Sequence, residues 1–365
     1  MRLKRSSPRI LRWPILKLLL VTIGVLVVFG GVDILILWLT GIVSFGDTQQ
    51  EFLKRVSLCS EGTRGAAICH RRAEGNGPLL TRIIAFDSTL HPPVRDLTVP
   101  ESQPTVIARC SLTGRIFVGC EDGSLLLYDA ADAAASPVLI GRHVSADSTE
   151  YSHIVMEIVI SKDGRYLASQ GGCNVIVWDL AGRRHIQLER DGRCLRCAAF
   201  IHPGTLVTGT TEGELLLWCM ATGRLLRSMA THTASIKSIA LPPTGDSLAA
   251  IAEDGMVHVW DVATGIRRWS HSITRLYGSA QMAFATDGVT LAISSSRDMR
   301  HLWIYNAETG SLVANLKPSR TGIISLAFRE DRSLRFFDEE GTLWNLDATG
   351  TERRWSFGSF SPIDP

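Results

Sequence analysis

The chain has 365 residues, a formal net charge of +2 and 45% hydrophobic residues, so it is long enough for one large domain or two ordinary ones. The charge is distributed unevenly, because residues 2–17 contain six basic residues and no acidic one, whereas the remaining 32 basic residues are outnumbered by 36 acidic ones. A slightly acidic main part does not favour nucleic acid as a partner, since that binding depends on neutralising phosphates.

The N-terminal segment is predicted to anchor the protein in a membrane. Residues 1–14 form a basic N-terminus and residues 15–43 a transmembrane signal anchor, because Leu18 to Phe45 contains one charged residue, Asp33. About twenty apolar residues are enough to cross a bilayer. Asp33 has two interpretations, an acid near the outer interface or a contact with a partner helix.

The basic residues before the anchor predict its orientation. Basic flanks stay on the cytoplasmic side, so we expect a cytoplasmic N-terminus and an extracytoplasmic, periplasmic domain. A cleaved signal peptide is the alternative, but its apolar stretch is usually about 7–15 residues and ends at a small-residue cleavage site, which is not evident here. A cytosolic scaffold tethered to the membrane would require the opposite orientation. Residues 44–54 are expected to be a short connector.

A unit of about 40–45 residues then recurs along the chain. Its best copy, Ala252–Gly265, contains an Asp254-Gly255 turn, an alternating strand Met256–Trp260 and then Asp261. Asp-Gly is typical of tight hairpin turns, and this period with a Trp-Asp end is typical of a four-stranded propeller blade. Weaker copies end at Asp87, Asp129, Asp179, Cys219, Asn306 and Asn345. We predict an all-β, seven-bladed β-propeller over residues 55–360, preceded by one transmembrane helix.

These repeats resemble the WD-repeat family. The resemblance implies a structural hydrogen-bonded network made of a His before the first strand, a hydroxyl residue in the second, an Asp in the turn and a Trp in the third. The fifth blade supplies His232, Asp254 and Trp260 but has Ala250 at the hydroxyl position. Other blades supply parts of the set: Asp122 with Tyr128, Ser169 with Trp178 and Asp179, and Thr208 with Glu212 and Trp218.

A second resemblance points to another class. Asp261 to Trp269 matches the D-x-x-T-G-x-x-x-W docking pattern of pyrroloquinoline-quinone-type propeller repeats, and Asp347 to Trp355 matches it approximately. That resemblance implies a quinoprotein-like periplasmic propeller with an envelope-assembly or redox role. The dehydrogenases of that family also need a longer chain, a metal and cofactor pocket and usually a vicinal disulfide, and no two cysteines are adjacent here. We therefore predict no cofactor.

Cysteine and histidine spacing does not indicate a chemical site. Cys194 and Cys197 form a C-x-x-C pattern, but it lies in a predicted strand, where positions i and i+3 face opposite ways, so the sulfurs should diverge. After export some of the other six cysteines could form disulfides, although their spacing does not identify the pairs. The remaining thiols are expected to be buried and free. No metal-ligand or catalytic motif is present, so we expect no metal and no enzyme.

The sequence thus predicts a membrane-anchored, non-catalytic scaffold that binds protein partners through loops on a rigid ring. Candidate contacts are the long Ala130–Tyr151 connection and the loops carrying Arg183-Arg184 and Arg267-Arg268, for which plain solvated turns are the alternative. Blade seven contains its own fourth-strand candidate, Thr351–Phe357. The sequence leaves open whether the ring also borrows a strand from the N-terminal part.

Overall fold

The computed structural model describes residues 51–58, 64–72, 79–87, 94–129, 132, 135–144, 153–189, 192–201, 204–230, 232–273, 280–295, 301–319, 322–338, 342–346 and 352–356. The predicted N-terminus, transmembrane anchor and most of the connector lie outside the described residues. Within the described ranges there is no helix with the length and apolar character needed to cross a bilayer.

The described chain forms seven four-stranded antiparallel sheets, and each sheet uses four strands that are consecutive in sequence. This arrangement confirms the predicted seven-bladed propeller. Blades one to three contain β1 to β12, namely Glu51–Leu58, Arg64–Arg72, Leu79–Asp87, Val94–Leu97, Pro104–Arg109, Ile116–Cys120, Ser124–Tyr128, Val138–Arg142, Val155–Ile160, Tyr166–Gly171, Asn174–Asp179 and Arg184–Leu188.

Blades four to seven follow the same order, with strands of five or six residues. They contain β13 to β28, namely Leu195–Phe200, Thr205–Thr210, Glu214–Cys219, Leu225–Ala230, Ile236–Ala240, Ser247–Ala252, Met256–Asp261, Arg267–Ser272, Ala280–Phe284, Thr290–Ser295, Leu302–Asn306, Leu312–Leu316, Ile323–Phe328, Leu334–Asp338, Thr342–Leu346 and Glu352–Ser356.

The turn before β19 shows why the Asp-Gly repeats begin a strand. Gly255 has φ +81°, a conformation that favours glycine, and Asp254 accepts a hydrogen bond from the backbone N–H of Met256 at 2.9 Å. β19 then pairs with β18, with Trp260 opposite Leu248. The strand predicted at Met256–Trp260 is therefore confirmed, one residue longer.

The core lies between neighbouring blades rather than at the ring's centre. Val175 and Val177 of blade three belong to the same buried cluster as Leu206 and Leu216 of blade four. Similar clusters join the other described blade pairs from blade one to blade seven. A propeller sheet is consequently apolar on both faces, which gives its second and third strands continuous hydrophobic runs instead of a strict alternation.

The ring closes without exchanging a strand. β28 pairs with β27, as expected for a fourth strand in the region Thr351–Phe357, and the first strands of blades one and seven, β1 and β25, lie in contact. β1 begins at Glu51, inside the segment 44–54 that was expected to be a connector. The blades therefore each fold from their own consecutive strands.

The long connection expected at Ala130–Tyr151 is partly a strand, which corrects that interpretation. Val138–Arg142 forms β8, the outer strand of blade two, and pairs with β7, with Leu139 opposite Leu126. The side chains of Val138 and Leu139 are both more than half exposed. Because an outer strand buries little, its sequence carries no clear alternation, and it resembles a loop.

The antiparallel order gives the ring two faces. Turns between the first and second strands and between the third and fourth lie on one face, which we call the lower face, and Ser161–Gly164 in blade three is an example. Turns between the second and third strands, such as Asp254–Gly255, lie on the other, upper face. The first residue of β1 and the last residue of β28 are both at the upper face.

Candidate functional site

The WD-type network is complete in blade three, and its histidine is one that the sequence analysis missed. His143 Nδ1 lies 3.0 Å from Ser169 Oγ, and His143 Nε2 lies 2.6 Å from Asn174 Oδ1. Trp178 Nε1 donates to Ser169 Oγ at 2.9 Å, and Asn174 Nδ2 donates to the carbonyl of Val144 at 3.2 Å. Asn174, the first residue of β11, therefore takes the role that the resemblance gives to the turn acid.

These four side chains have one consistent hydrogen-bond direction. The Trp178 indole can only donate, so Ser169 accepts from it and its own hydroxyl donates to His143 Nδ1. Nε2 of His143 then carries the proton that Asn174 Oδ1 accepts. Burial lowers the pKa of His143, so the ring is neutral at pH 7 and the chain of donors holds without a charge.

Blade five brings its three predicted residues into one neighbourhood without linking them by hydrogen bonds. The His232 ring centroid lies 5.9 Å from that of Trp260 and 4.2 Å from that of His258. Asp254 instead accepts from Met256 N and from Thr233 Oγ1. With Ala250 in place of a hydroxyl, both ring nitrogens of His232 are buried and have no hydrogen-bond partner among the described residues.

The other predicted network residues have local roles. Trp218 Nε1 donates to Thr208 Oγ1 at 2.8 Å, whereas Glu212 accepts from the neighbouring Thr211 hydroxyl at 2.6 Å and takes no part in that pair. In blade two, Asp122 accepts from Ser124 N and Oγ at 3.0 and 2.8 Å and lies 3.1 Å from Arg142. The Tyr128 hydroxyl of the same blade donates to the carbonyl of Thr98 at 2.8 Å.

Blade seven contains a further variant of the network that sequence reasoning did not find. Asp338 Oδ2 accepts from Trp344 Nε1 and from Ser319 Oγ, both at 2.8 Å, and Asp338 is buried. The strand register puts Asp338 where blade three has Ser169, because each lies two residues after the partner of the blade's tryptophan. A carboxylate can thus replace the hydroxyl when two donors satisfy it.

The D-x-x-T-G-x-x-x-W segment makes a docking contact between blades five and six. Trp269 Nε1 donates to the carbonyl of Ala307 at 2.7 Å, and a Cβ placed on Gly310 would lie 2.8 Å from Trp269 Cγ. Earlier blades use the same position, with Ile186 against Gly223 and Arg227 against Gly265. The glycine leaves room for the fourth-strand side chain of the preceding blade.

The aspartates that follow the Trp residues hold the turns on the lower face. Asp261 binds Arg268 at 2.7 Å and accepts from Thr264 N at 2.9 Å, and these bonds lower its pKa to about 2, the one from Arg268 most. Asp179 binds Arg165 at 3.1 Å and the backbone N–H groups of the following turn, and Arg165 is the main cause of its pKa of about 2. Both aspartates are structural.

The candidate interaction arginines lie mostly outside loops, which corrects their predicted setting. Arg183 is in a turn with φ +49°, but Arg184 begins β12, and Arg267 and Arg268 begin β20. Arg268 is engaged with Asp261 and, at 3.0 Å, with Ser247 Oγ. Each outer strand follows a short turn that contains a residue with positive φ, Arg183 at +49° and Gly265 at +70°.

One disulfide crosses a blade junction. Cys173, in the upper turn of blade three, is bonded to Cys194, just before β13 of blade four. Cys197 is free and fully buried, and burial raises its pKa, so the C-x-x-C cysteines are not paired with each other, although Cys194 lies just before the strand in which both were predicted. Cys110, Cys120 and Cys219 are also free thiols. Within the described part of the chain, no three His, Cys, Asp or Glu side chains are arranged to hold a metal ion.

Comparison with known proteins supports the WD-repeat resemblance. Residues 223–261 match the family described as WD domain, G-beta repeat. The U3 small nucleolar RNA-associated protein 4 homolog of Mus musculus is 26% identical over 39% of this chain and 21% of its own length. Transducin beta-like protein 3 of Rattus norvegicus is 28% identical over 53% of this chain and 25% of its own length. The target of rapamycin complex subunit LST8 of Bos taurus is 22% identical over 63% of this chain and 73% of its own length.

The first two of these relatives are much longer than the matched region. The chain spans about a quarter or less of the length of each of them. The matched repeat covers the end of blade four and most of blade five, which also carry the Asp254-Gly255 turn and Trp260. The fold and this match define a seven-bladed propeller in which one repeat is of the WD type.

Proposed function

We propose that the protein is a membrane-anchored scaffold whose propeller binds protein partners outside the cytoplasm and catalyses no reaction. Propellers with WD-type repeats present turns from a rigid ring, and one relative is named as a subunit of a complex. The slightly acidic composition after residue 17 favours proteins over nucleic acids as partners.

The Cys173–Cys194 disulfide carries the proposed location. Disulfides persist in oxidising compartments and are rare in the cytosol, where thiols are kept reduced. The apolar stretch and its basic flank independently favour export of the propeller. Two arguments from different parts of the chain therefore point to the same side of the membrane.

Topology reporters test this proposal in cells. We would fuse either a phosphatase that folds only after export or a fluorescent protein that folds in the cytoplasm after Pro365. The phosphatase fusion should be active and the fluorescent fusion dark. A control in which the six basic residues of segment 2–17 are replaced by Gln should lose this bias, because it lacks the orientation signal.

The same cells allow the disulfide to be measured. Denatured wild-type protein should gain two maleimide-reactive thiols on reduction, and the double variant Cys173→Ser/Cys194→Ser should gain none. A bright fluorescent fusion together with no gain of thiols in the wild type would contradict the extracytoplasmic location.

A quinoprotein-like propeller is the second candidate, and the Trp269–Gly310 docking contact favours it. This contact has the residues and spacing of the pyrroloquinoline-quinone-type repeat. Titration with pyrroloquinoline quinone and calcium separates the two candidates. Binding of one equivalent would contradict the pure scaffold, whereas no binding at millimolar quinone would leave the docking contact as a structural device alone.

A further inference from the structure

The lower end of the space enclosed by the first strands forms a cavity of about 740 Å³. Its wall is largely apolar, since it includes Ile158 and Ile160 of β9, Phe200 of β13, and Ile201 and Leu241 from the turns that follow. Ligand pockets generally measure about 300–1,000 Å³ and are lined mainly by apolar groups. The cavity is therefore large enough to hold several side chains of a bound segment.

Short closed turns make this cavity rigid. The turn after β9 is closed by a hydrogen bond from Gly164 N to the carbonyl of Ser161 at 2.8 Å. The turn after β17 is closed in the same way, from Gly245 N to the carbonyl of Pro242 at 3.0 Å. Both glycines have positive φ, and Pro242 is followed by a second proline. A preformed wall loses little conformational entropy when a ligand binds.

Charge is distributed asymmetrically around the opening. Lys162 is exposed at the rim and has no carboxylate partner among the described residues. The adjacent Asp163 accepts from Ser161 Oγ at 2.6 Å and from Arg165 N at 3.0 Å, and these bonds lower its pKa, so one negative charge lies next to Lys162. Arg109 is a second cation in the wall, 6% exposed and bonded to the carbonyl of Gly65. The lining thus attracts an anionic group beside an apolar one.

Neighbouring blades confirm that this sector is unusual within the ring. Blades six and seven carry the aspartates Asp287 and Asp331 in the corresponding turns, each bonded to the backbone two residues on. Blade five has Pro242 and Pro243 there instead. Asp163, next to Lys162 in blade three, belongs to the same set of turn acids, so the uncharged apolar part of the wall is the Pro242-Pro243 turn of blade five.

We propose that this cavity is the docking site for a protein segment that presents bulky apolar side chains next to a carboxylate. The apolar groups fill the space against Phe200 and Leu241, and the carboxylate lies near Lys162. The opening is on the lower face, whereas Glu51 and Ser356, the two ends of the described ring, are on the upper face. The cavity consequently opens on the face opposite to Glu51, the first described residue. The docking site itself is argued from the cavity alone. The statement that its partner lies outside the cytoplasm rests on the proposed function.

Labelled peptides test the site with the full-length protein in nanodiscs of zwitterionic lipid. Three seven-residue peptides contain Leu-Phe flanked by Glu, Gln or Lys, and a fourth contains Ser-Ser flanked by Glu. Binding is measured by fluorescence anisotropy and corrected with empty nanodiscs. Among the Leu-Phe peptides, the Glu-flanked one should bind most tightly, the Gln-flanked one less tightly and the Lys-flanked one least. The Ser-Ser peptide should not bind. Equal affinity for the Glu and Lys peptides, or no binding of any peptide at 1 mM, would overturn the proposal.

Two variants and one control locate the binding. Lys162→Glu changes an exposed residue. It should lower the affinity for the Glu-flanked peptide about threefold to tenfold and leave the affinity for the Gln-flanked peptide unchanged. Arg224→Glu makes the same charge change on the lower face, outside the cavity, and should alter neither. Leu241→Gln should weaken all Leu-Phe peptides without changing their ranking.

A folding defect is separated from loss of the site by thermal unfolding of each variant. If Leu241→Gln melts like the wild type and binds the peptides equally well, the cavity is not the site. The result of the peptide-binding experiment does not depend on the side of the membrane on which the propeller lies. Peptide binding with a cytoplasmic propeller would retain the docking site and reject the proposed location, whereas an exported propeller that binds no peptide would reject the site alone.

Discussion

His143 Nε2 lies 2.6 Å from Asn174 Oδ1, so an amide takes the role that the WD-repeat resemblance gives to the turn aspartate. The amide also donates to the carbonyl of Val144, which a carboxylate could not do. The network is neutral throughout, and burial lowers the pKa of His143 in agreement with that. Blade three therefore keeps the geometry of the network and removes its buried charge.

Removing the central hydroxyl of this network should destabilise the protein. In Ser169→Ala, the buried Trp178 indole loses its acceptor and His143 Nδ1 loses its donor, so unfolding should become easier by about 1–3 kcal/mol. Chemical denaturation of the purified protein measures the change. An unchanged midpoint would show that the two groups find other partners.

The converse substitution should stabilise blade five. Ala250 occupies the position of Ser169, two residues after the strand partner of the tryptophan, and His232 Nδ1 and Nε2 have no partner there within the described residues. Ala250→Ser supplies a hydroxyl that can bond to His232, with a gain of about 1 kcal/mol. A loss of stability in the same denaturation assay would mean that the extra oxygen overpacks the site.

The docking contact between blades five and six predicts a large cost for a single methyl group. Gly310→Ala puts Cβ 2.8 Å from Trp269 Cγ, in a turn with φ +75°. Gly192→Ala is a matched control, since Gly192 has φ +67° and no atom lies within 4 Å of the added Cβ. The control should cost about 1 kcal/mol, and Gly310→Ala about 1–3 kcal/mol more, measured by thermal unfolding. Equal losses of stability in the two variants would show that backbone strain, rather than the clash with Trp269, causes the loss in Gly310→Ala.

The sequence predicted the blades well because their third strands are apolar runs that carry an aromatic residue near the end, which is a tryptophan in blades three, four and five. The strand at Met256–Trp260 and its turn follow from local chemistry alone. β8 was missed, since the exposed Val138 and Leu139 give an outer strand no burial pattern. His143 was missed for the same reason, because it lies just after that strand. The Cys173–Cys194 pair depends on how two blades meet, which residue spacing does not reveal.

The stability of the propeller should fall in mild acid, partly because of His232. Burial is the main cause that lowers its pKa from the ordinary value of 6.5 to about 4. As the pH falls from 6.5 to 4, the unfolded chain takes up a proton that the folded protein does not, so the free energy of unfolding decreases and then levels off. The contribution of this residue is about 3 kcal/mol. His232→Gln should flatten the pH dependence over this range, and His185→Gln, at an exposed position, should leave it unchanged.

The disulfide should account for a measurable part of the stability. Cys173 and Cys194 are 21 residues apart, and closing a loop of this length restricts the unfolded chain by about 3 kcal/mol. In urea unfolding, the double variant Cys173→Ser/Cys194→Ser should lose about this much free energy of unfolding. A reducing agent should lower the urea midpoint of the wild type to that of the variant. The reducing agent should have no effect on the double variant, and Cys219→Ser, which removes a free thiol, should behave like the wild type. If the wild type is insensitive to reduction, the bond does not form in solution, and the strongest argument for an oxidising compartment is lost with it.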